Sequence, residues 1–266
     1  MRGMNIRGGW ALIKSTWAMW LQHRGFFFLL AFGWMIPPLI YLFVWSMAAG
    51  EKMVGGMTRG EFVAYYLVLI LVNQLTYSQT NWTVGDVIRS GGMNSLLLRP
   101  MSPVFDVVAT QVSGIVVYMT FAIPVTAILA MVLRPELHVN PRDGLLFLPA
   151  LVLAALLRFF WGYWLALLAF WATRGDALLA VQDALVFLLA GQVAPRVMLP
   201  ELMRRVSAVL PFRYMLGFPV EILTGQLDST AMWTGFAYQV GWLGMALLLF
   251  SVMWRTGVRR YSAVGG

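Results

Sequence analysis

GFFFLLAFGWMIPPLIYLFVWSMAAG, Gly25 to Gly50, carries no charged side chain over 26 residues. A bilayer core takes about 20 apolar residues of helix rising 1.5 Å each, so this stretch is long enough to cross one. Ser46-Met47-Ala48 imitates a signal-peptide cleavage site. A secretory leader has an apolar core of only about 7 to 15 residues, however, and the length here predicts a retained helix. Five further stretches repeat the pattern: Phe62 to Gly85, about Val107 to Leu133, Gly144 to Thr173, about Ala177 to Ala194, and Ala231 to Trp254. The sequence therefore predicts an all-α membrane protein of six transmembrane helices over 25-254. Residues 1-24 form an N-terminal segment and 255-266 a C-terminal tail.

Composition agrees. Of 266 residues, 60% are hydrophobic and 11% charged, against roughly a quarter charged in an average soluble domain. The chain has no Cys and two His, His23 and His138, which excludes thiol catalysis, disulfides and Cys-ligated metal centres and argues against a His-rich metal site. The only lysines, Lys14 and Lys52, follow Ile13 and Glu51, so no phosphate-binding Gly-Lys-Ser/Thr loop exists. No G-x-S-x-G elbow, H-E-x-x-H helix or paired-carboxylate cluster is present either.

The net charge of +8 marks topology, not nucleic acid. With the N-terminus inside, ten Lys and Arg fall on the cytoplasmic side and eight outside, with Arg158 inside the fourth span. Half of those eight lie in the long connection from Pro195 to Thr230, and Glu51, Glu61, Glu136 and Asp143 balance the two short outer loops. The basic termini then place both ends in the cytoplasm. Ahead of the first span, Trp10, Ile13, Trp17, Trp20 and Leu21 share one helical stripe. This predicts an interfacial amphipathic helix with tryptophans at headgroup depth, or else an extension of the first span.

Polar residues inside spans are candidates for function. The second span holds Asn73, Gln74, Thr76, Tyr77, Ser78, Gln79, Thr80 and Asn81, with Gln74, Ser78 and Asn81 spaced to share a helical face. They serve either a substrate path or interhelical hydrogen bonds of about 0.6 kcal/mol each. Arg158 would cost roughly 2.5 to 3.5 kcal/mol facing lipid. It pairs with Asp183 of the fifth span, or it faces a hydrated vestibule or an anionic substrate group. Helical rise places Arg158 roughly 12 Å deeper than Asp183, so pairing requires snorkelling or a shifted helix.

The segment 86-103 between spans two and three reads Asp86-Val-Ile-Arg-Ser-Gly-Gly-Met-Asn-Ser-Leu-Leu-Leu-Arg-Pro100-Met-Ser-Pro103. Gly91-Gly92 breaks the helix leaving span two, Met93 to Leu98 forms a short helix, and Arg99-Pro100 ends it. A short helix between two breaks suits docking into a partner's cleft; alternatively it is an amphipathic turn on the lipid surface.

This segment resembles the Ile-Arg-x-Gly...Leu-Leu-x-Pro stretch of ABC-2-type permeases, the membrane subunits of ABC exporters. The run from Leu199 to Pro219, followed by Glu221-Ile-Leu-Thr-Gly225, is similar to that family's Leu-Pro...Tyr...Pro...Gly pattern. The resemblance implies an interfacial connecting helix at the N-terminus and a coupling helix fitting a groove on a separate ATPase, carried by Arg89, Gly92, Asn94, Leu97, Leu98, Arg99 and Pro100. It also implies a pair of short re-entrant helices within 196-230, punctuated by Pro200, Pro211 and Pro219. Gln74, Ser78, Asn81, Arg158, Asp183, Gln192, Pro211, Tyr214 and Pro219 are the candidate path or gate residues.

The expected protein is a permease in a bacterial inner membrane that dimerises with itself or a related subunit and binds two ATPase copies. It exports a hydrophobic, amphipathic or lipid-like substrate. It binds no cofactor itself, ATP and Mg belonging to the ATPase, and no nucleic acid. A membrane scaffold or assembly protein without transport of its own is the alternative. A secondary transporter ranks lower, because no internal repeat or matched pair of broken spans is visible.

Overall fold

A computed structural model describes residues 24–50, 52–78, 80–100, 102–137, 139–172 and 176–261, with Lys14 and Ala18. The interfacial helix expected over Trp10 to His23 lies outside the described residues, those two apart. In chain order the α-helices are α1 (Arg24–Ala49), α2 (Arg59–Thr76), α3 (Thr80–Arg89), α4 (Met93–Leu97), α5 (Pro103–Leu133), α6 (Pro141–Leu167), α7 (Asp176–Leu189), α8 (Glu201–Val209), α9 (Pro211–Met215), α10 (Gly217–Leu223) and α11 (Ser229–Arg260). Among the described residues the only extended pairing is an isolated bridge between Val54 and Met57.

Among the described residues, four helical stretches are long and apolar enough to cross a membrane: Phe32–Ala49 in α1, α5, α6 with its 3-10 extension to Phe170, and α11. Their starts follow from local chemistry. Pro103 and Pro141 sit in first turns, where a missing N–H costs nothing. The side chains of Asn140 and Asp228 accept from Arg142 and Ala231 amides. The sixth stretch runs past the expected Trp254 to Arg260, so the tail begins as helix.

Two of the six expected spans differ from the continuous helices that their apolar lengths suggest. The second is interrupted after Thr76, where Tyr77 turns extended (φ −61°, ψ 129°), and resumes at Thr80. The fifth stops at Leu189, and the chain from Ala190 to Ala194 is irregular, with Gly191 left-handed at φ 85°. An apolar bundle has no water for such backbone, so protein must satisfy it. The Tyr65 hydroxyl donates to Gly191 O at 3.0 Å, while Tyr66 and Trp45 donate to Val193 O at 3.1 and 2.8 Å. α2 carries both tyrosines and packs against α1, α5, α6 and α10. It is the central helix, with 14 of its 18 residues buried.

Between α7 and α11 the chain folds back into the bundle. Gln239 Nε2 donates to Ala150 O and Tyr214 O, each at 3.0 Å. Ala150 and Gln239 lie nine and ten residues inside their helices, so Tyr214 sits roughly 14 Å below the starts of α6 and α11. This segment has three short α-helices where two were expected. Pro219 does not separate helices; it lies in the first turn of α10, where proline is tolerated. The break falls at Leu216, and Gly217 is required there because a Cβ would stand 2.7 Å from Ala190 O.

Every residue from Pro211 to Ile222 is buried, including one ion pair. Arg213 Nε lies 3.1 Å from both Glu221 carboxylate oxygens, with the two side chains 7% and 3% exposed. Removing one member strands a buried charge, whereas replacing both with apolar groups does not. Glu221→Ala should therefore destabilise the protein by about 3 to 5 kcal/mol. Arg213→Met with Glu221→Leu should recover most of that loss in thermal unfolding of the detergent-purified protein; equal losses would contradict this account.

Candidate functional site

The break in the second span centres on Arg158. This residue is carried by α6 and is 4% exposed. Nη1 donates to Asn73 Oδ1 at 2.8 Å and Thr76 Oγ1 at 3.2 Å, and Cζ lies 4.9 Å from the Tyr77 ring centroid. Neutral dipoles and an aromatic face thus surround the cation. The freed carbonyl of Tyr77 accepts from Gln111 of α5. No Pro or Gly marks the break; these side chains supply partners that a continuous helix would not need.

Arg158 and Asp183 make no direct pair. Asp183 accepts from Trp82 Nε1 at 3.3 Å and Gln182 Nε2 at 3.2 Å, while the hydrogen bonds of Arg158 go to α2. Trp82 belongs to α3 and Tyr77 to the break, so the interrupted span supplies each charge with its own contact. The two charges still act on one another at longer range.

Gln74, Ser78 and Asn81 are all buried, but the extended backbone at Tyr77 means they do not share one helical face. Asn81 fits where α6 lacks a side chain, since a Cβ on Gly162 would lie 1.7 Å from its Nδ2. Gln192 lies buried in the turn after α7, while Pro211 opens α9 and Pro219 lies in α10. Tyr214 donates to Ala208 O and stacks on Tyr238 at 5.6 Å. The expected path residues therefore form two groups, one at the break and one at the hairpin.

At the end of α3, Gly91 adopts φ 80° and turns the chain into α4. Met93 is buried among Val84 and Ile88 of α3 and Phe159, Tyr163 and Leu167 of α6. Gly92 is the N-cap, and Asn94 O accepts the Leu98 amide. Leu97 packs toward this cluster, whereas Leu98 is 87% exposed and Pro100 follows it on the surface. Arg89 pairs with Asp86 within α3 at 2.6 Å, and Arg99 after α4 pairs with Asp106 in the first turn of α5 at 3.1 Å.

Residues 34–265 match the family described as ABC-2 family transporter protein. The chain belongs to the ABC-2 transporter family. No curated protein matches it. The matched range begins inside α1 and extends beyond α11, so it includes the break, α4 and the hairpin. This ABC-2 protein is accordingly a multi-pass membrane protein of a transporter family.

Sequence reasoning did not single out Trp82, Gln111, Gln182, Gln239 or the Arg213–Glu221 pair of the ABC-2 chain. Arg213 and Glu221 are eight residues apart, and only the fold-back of α9 on α10 joins them. Arg158→Leu removes two hydrogen bonds of about 0.6 kcal/mol each. Backbone hydrogen exchange over 73–82 should rise roughly 5- to 10-fold, with α9 and α10 unchanged. Unaltered exchange at the break would contradict the assigned role of Arg158.

Proposed function

We propose that this chain is the permease subunit of an ATP-driven exporter, and that a separate ATPase docks on α4. Six crossings are then α1, the interrupted pair α2 and α3, α5, α6, α7 and α11. The termini share the cytoplasmic face with α4, and the α8–α10 hairpin enters from the outer face. The observation that carries the reading is an 87% exposed Leu98 on a helix whose opposite side is seated by Met93. An apolar side chain at that exposure, beside the Arg89–Asp86 and Arg99–Asp106 ion pairs, suits an apolar cleft with a polar rim.

The geometry also supplies a route for motion. Met93 sits on both α3 and α6, so pressure on α4 reaches α3 directly. Only the short segment 77–79 connects α3 to α2 along the chain. ATP-driven closure would tilt α3 and α4 about that point, with Asn73, Thr76 and Tyr77 around Arg158 holding the upper half. A dimer of such chains, each with its ATPase, would open a path for a hydrophobic, amphipathic or lipid-like substrate near the buried polar layer. ATP and Mg would be bound by the ATPase.

Leu98→Glu should abolish co-purification with the ATPase and ATP-dependent transport while leaving the fold intact, since the side chain touches solvent. Leu97→Glu should instead lower thermal stability, because that residue packs inward. Retained ATPase binding and transport in Leu98→Glu would overturn the docking assignment.

A further inference from the structure

α11 carries its own depth scale. Trp233 and Trp254 are roughly 32 Å apart along the helix, the thickness of a hydrocarbon core with a tryptophan at each edge. Between them, Ala237 to Met245 begins about 6 Å below Trp233 and so lies at acyl-chain depth in the leaflet opposite α4.

There α11 bears an open groove of about 430 Å³. Ala237, Gly241 and Met245 line it along one helical stripe, with the rings of Tyr238 and Trp242 beside them and Val209, the last residue of α8, across from them. No charged side chain lines it. Gly241 leaves room along the middle, because a Cβ there would meet nothing within 4 Å. The ring side is pinned: Tyr238 stacks on buried Tyr214, and Trp242 Nε1 donates to Val209 O at 2.8 Å. A slot fixed in this way need not be ordered when a flexible hydrocarbon chain enters it.

α8 descends to this groove from the membrane edge. Just before it, Met198 lies against Gly55 in the connection between α1 and α2, and its far end reaches Trp242. Arg205 stands one helical turn before Val209 on the same side of α8, about 6 Å nearer the headgroups, and its side chain is 77% exposed. Leu202 and Val206 flank it and are exposed too. Glu201, the only carboxylate of α8, is shared between Arg204 and Arg205. Arg196 acts on Glu201 and Arg204 as well as on the Arg213–Glu221 pair, which is neutral in sum. Three bases and one acid leave positive charge directly above an apolar slot, an arrangement complementary to an amphiphile with an anionic head.

We propose that the groove between α8 and α11 is a binding site for an anionic phospholipid of the leaflet opposite α4. One acyl chain lies along Ala237, Gly241 and Met245, and the phosphate-bearing headgroup meets Arg205. The site uses no residue of α4 and requires no ATPase, so its failure would leave the docking assignment standing.

The test is native mass spectrometry of the full detergent-purified chain, with phosphatidylglycerol and phosphatidylcholine of identical acyl chains in competition. A phosphatidylglycerol carrying a diazirine in one acyl chain maps the contact. Phosphatidylglycerol should be retained about fivefold over phosphatidylcholine, the preference that one basic side chain near a lipid surface confers. The diazirine should label 206–209 and 237–245. Arg205→Gln keeps a donor for Glu201 and removes the charge, so the preference should vanish while thermal stability holds. Gly241→Leu fills the groove and should abolish labelling of 237–245. Equal retention of the two lipids by the natural chain, labelling spread evenly over the other lipid-facing helices, or undiminished labelling in Gly241→Leu would overturn the proposal. So would a dimer that Gly241→Leu converts to monomer, since a second copy would then occupy the groove.

Discussion

Backbone that leaves a helix inside an apolar bundle has no water to turn to, and three such departures among the described residues are answered by particular side chains. Gln111 takes the carbonyl freed at Tyr77, Tyr65 and Tyr66 take those after α7, and Gln239 takes Tyr214 O at the hairpin. Three irregular features are therefore tied to the central helix α2 and to the long helices α5 and α11. Remove those donors and the broken span, the short fifth helix and the fold-back each lose their reason to persist.

The same constraint governs charge. Arg158 and Arg213 are both buried, yet they are handled differently. Arg213 meets a carboxylate eight residues away and locks α9 to α10. Arg158 meets two neutral oxygens and a ring, partners that hold a guanidinium without neutralising it. The first arrangement fixes a hairpin. The second leaves a net charge beside a discontinuity in the helix leading to α4, a place where a modest push can be converted into a change of angle.

Much of this was legible in the sequence. Charge-free length located the long helices, Gly91-Gly92 and Arg99-Pro100 delimited α4 to within a residue, and the prolines around Pro200 and Pro211 signalled short helices. Apolar length alone could not reveal the break at Tyr77, because its cause is a polar side chain from α6, some 80 residues distant along the chain. For the same reason the polar run of span two suggested one face where the structure has two half-helices. The choice between Leu97 and Leu98 was equally hidden. Adjacent leucines in a short helix look alike until the packing of Met93 fixes which side is inward.

In the proposed mechanism, α3 and α4 move against α2 about the break when a docked ATPase binds nucleotide. The chain has no cysteine, so spin labels can be introduced at single positions without background. Pulsed electron resonance between Ser95→Cys on α4 and Arg59→Cys on α2, both exposed, reads that motion directly. ATP binding to the complex should shift the Ser95–Arg59 distance while leaving the Arg59–Thr230 distance unchanged. A Ser95–Arg59 distance that stays fixed, or one that changes only together with Arg59–Thr230, would contradict the account.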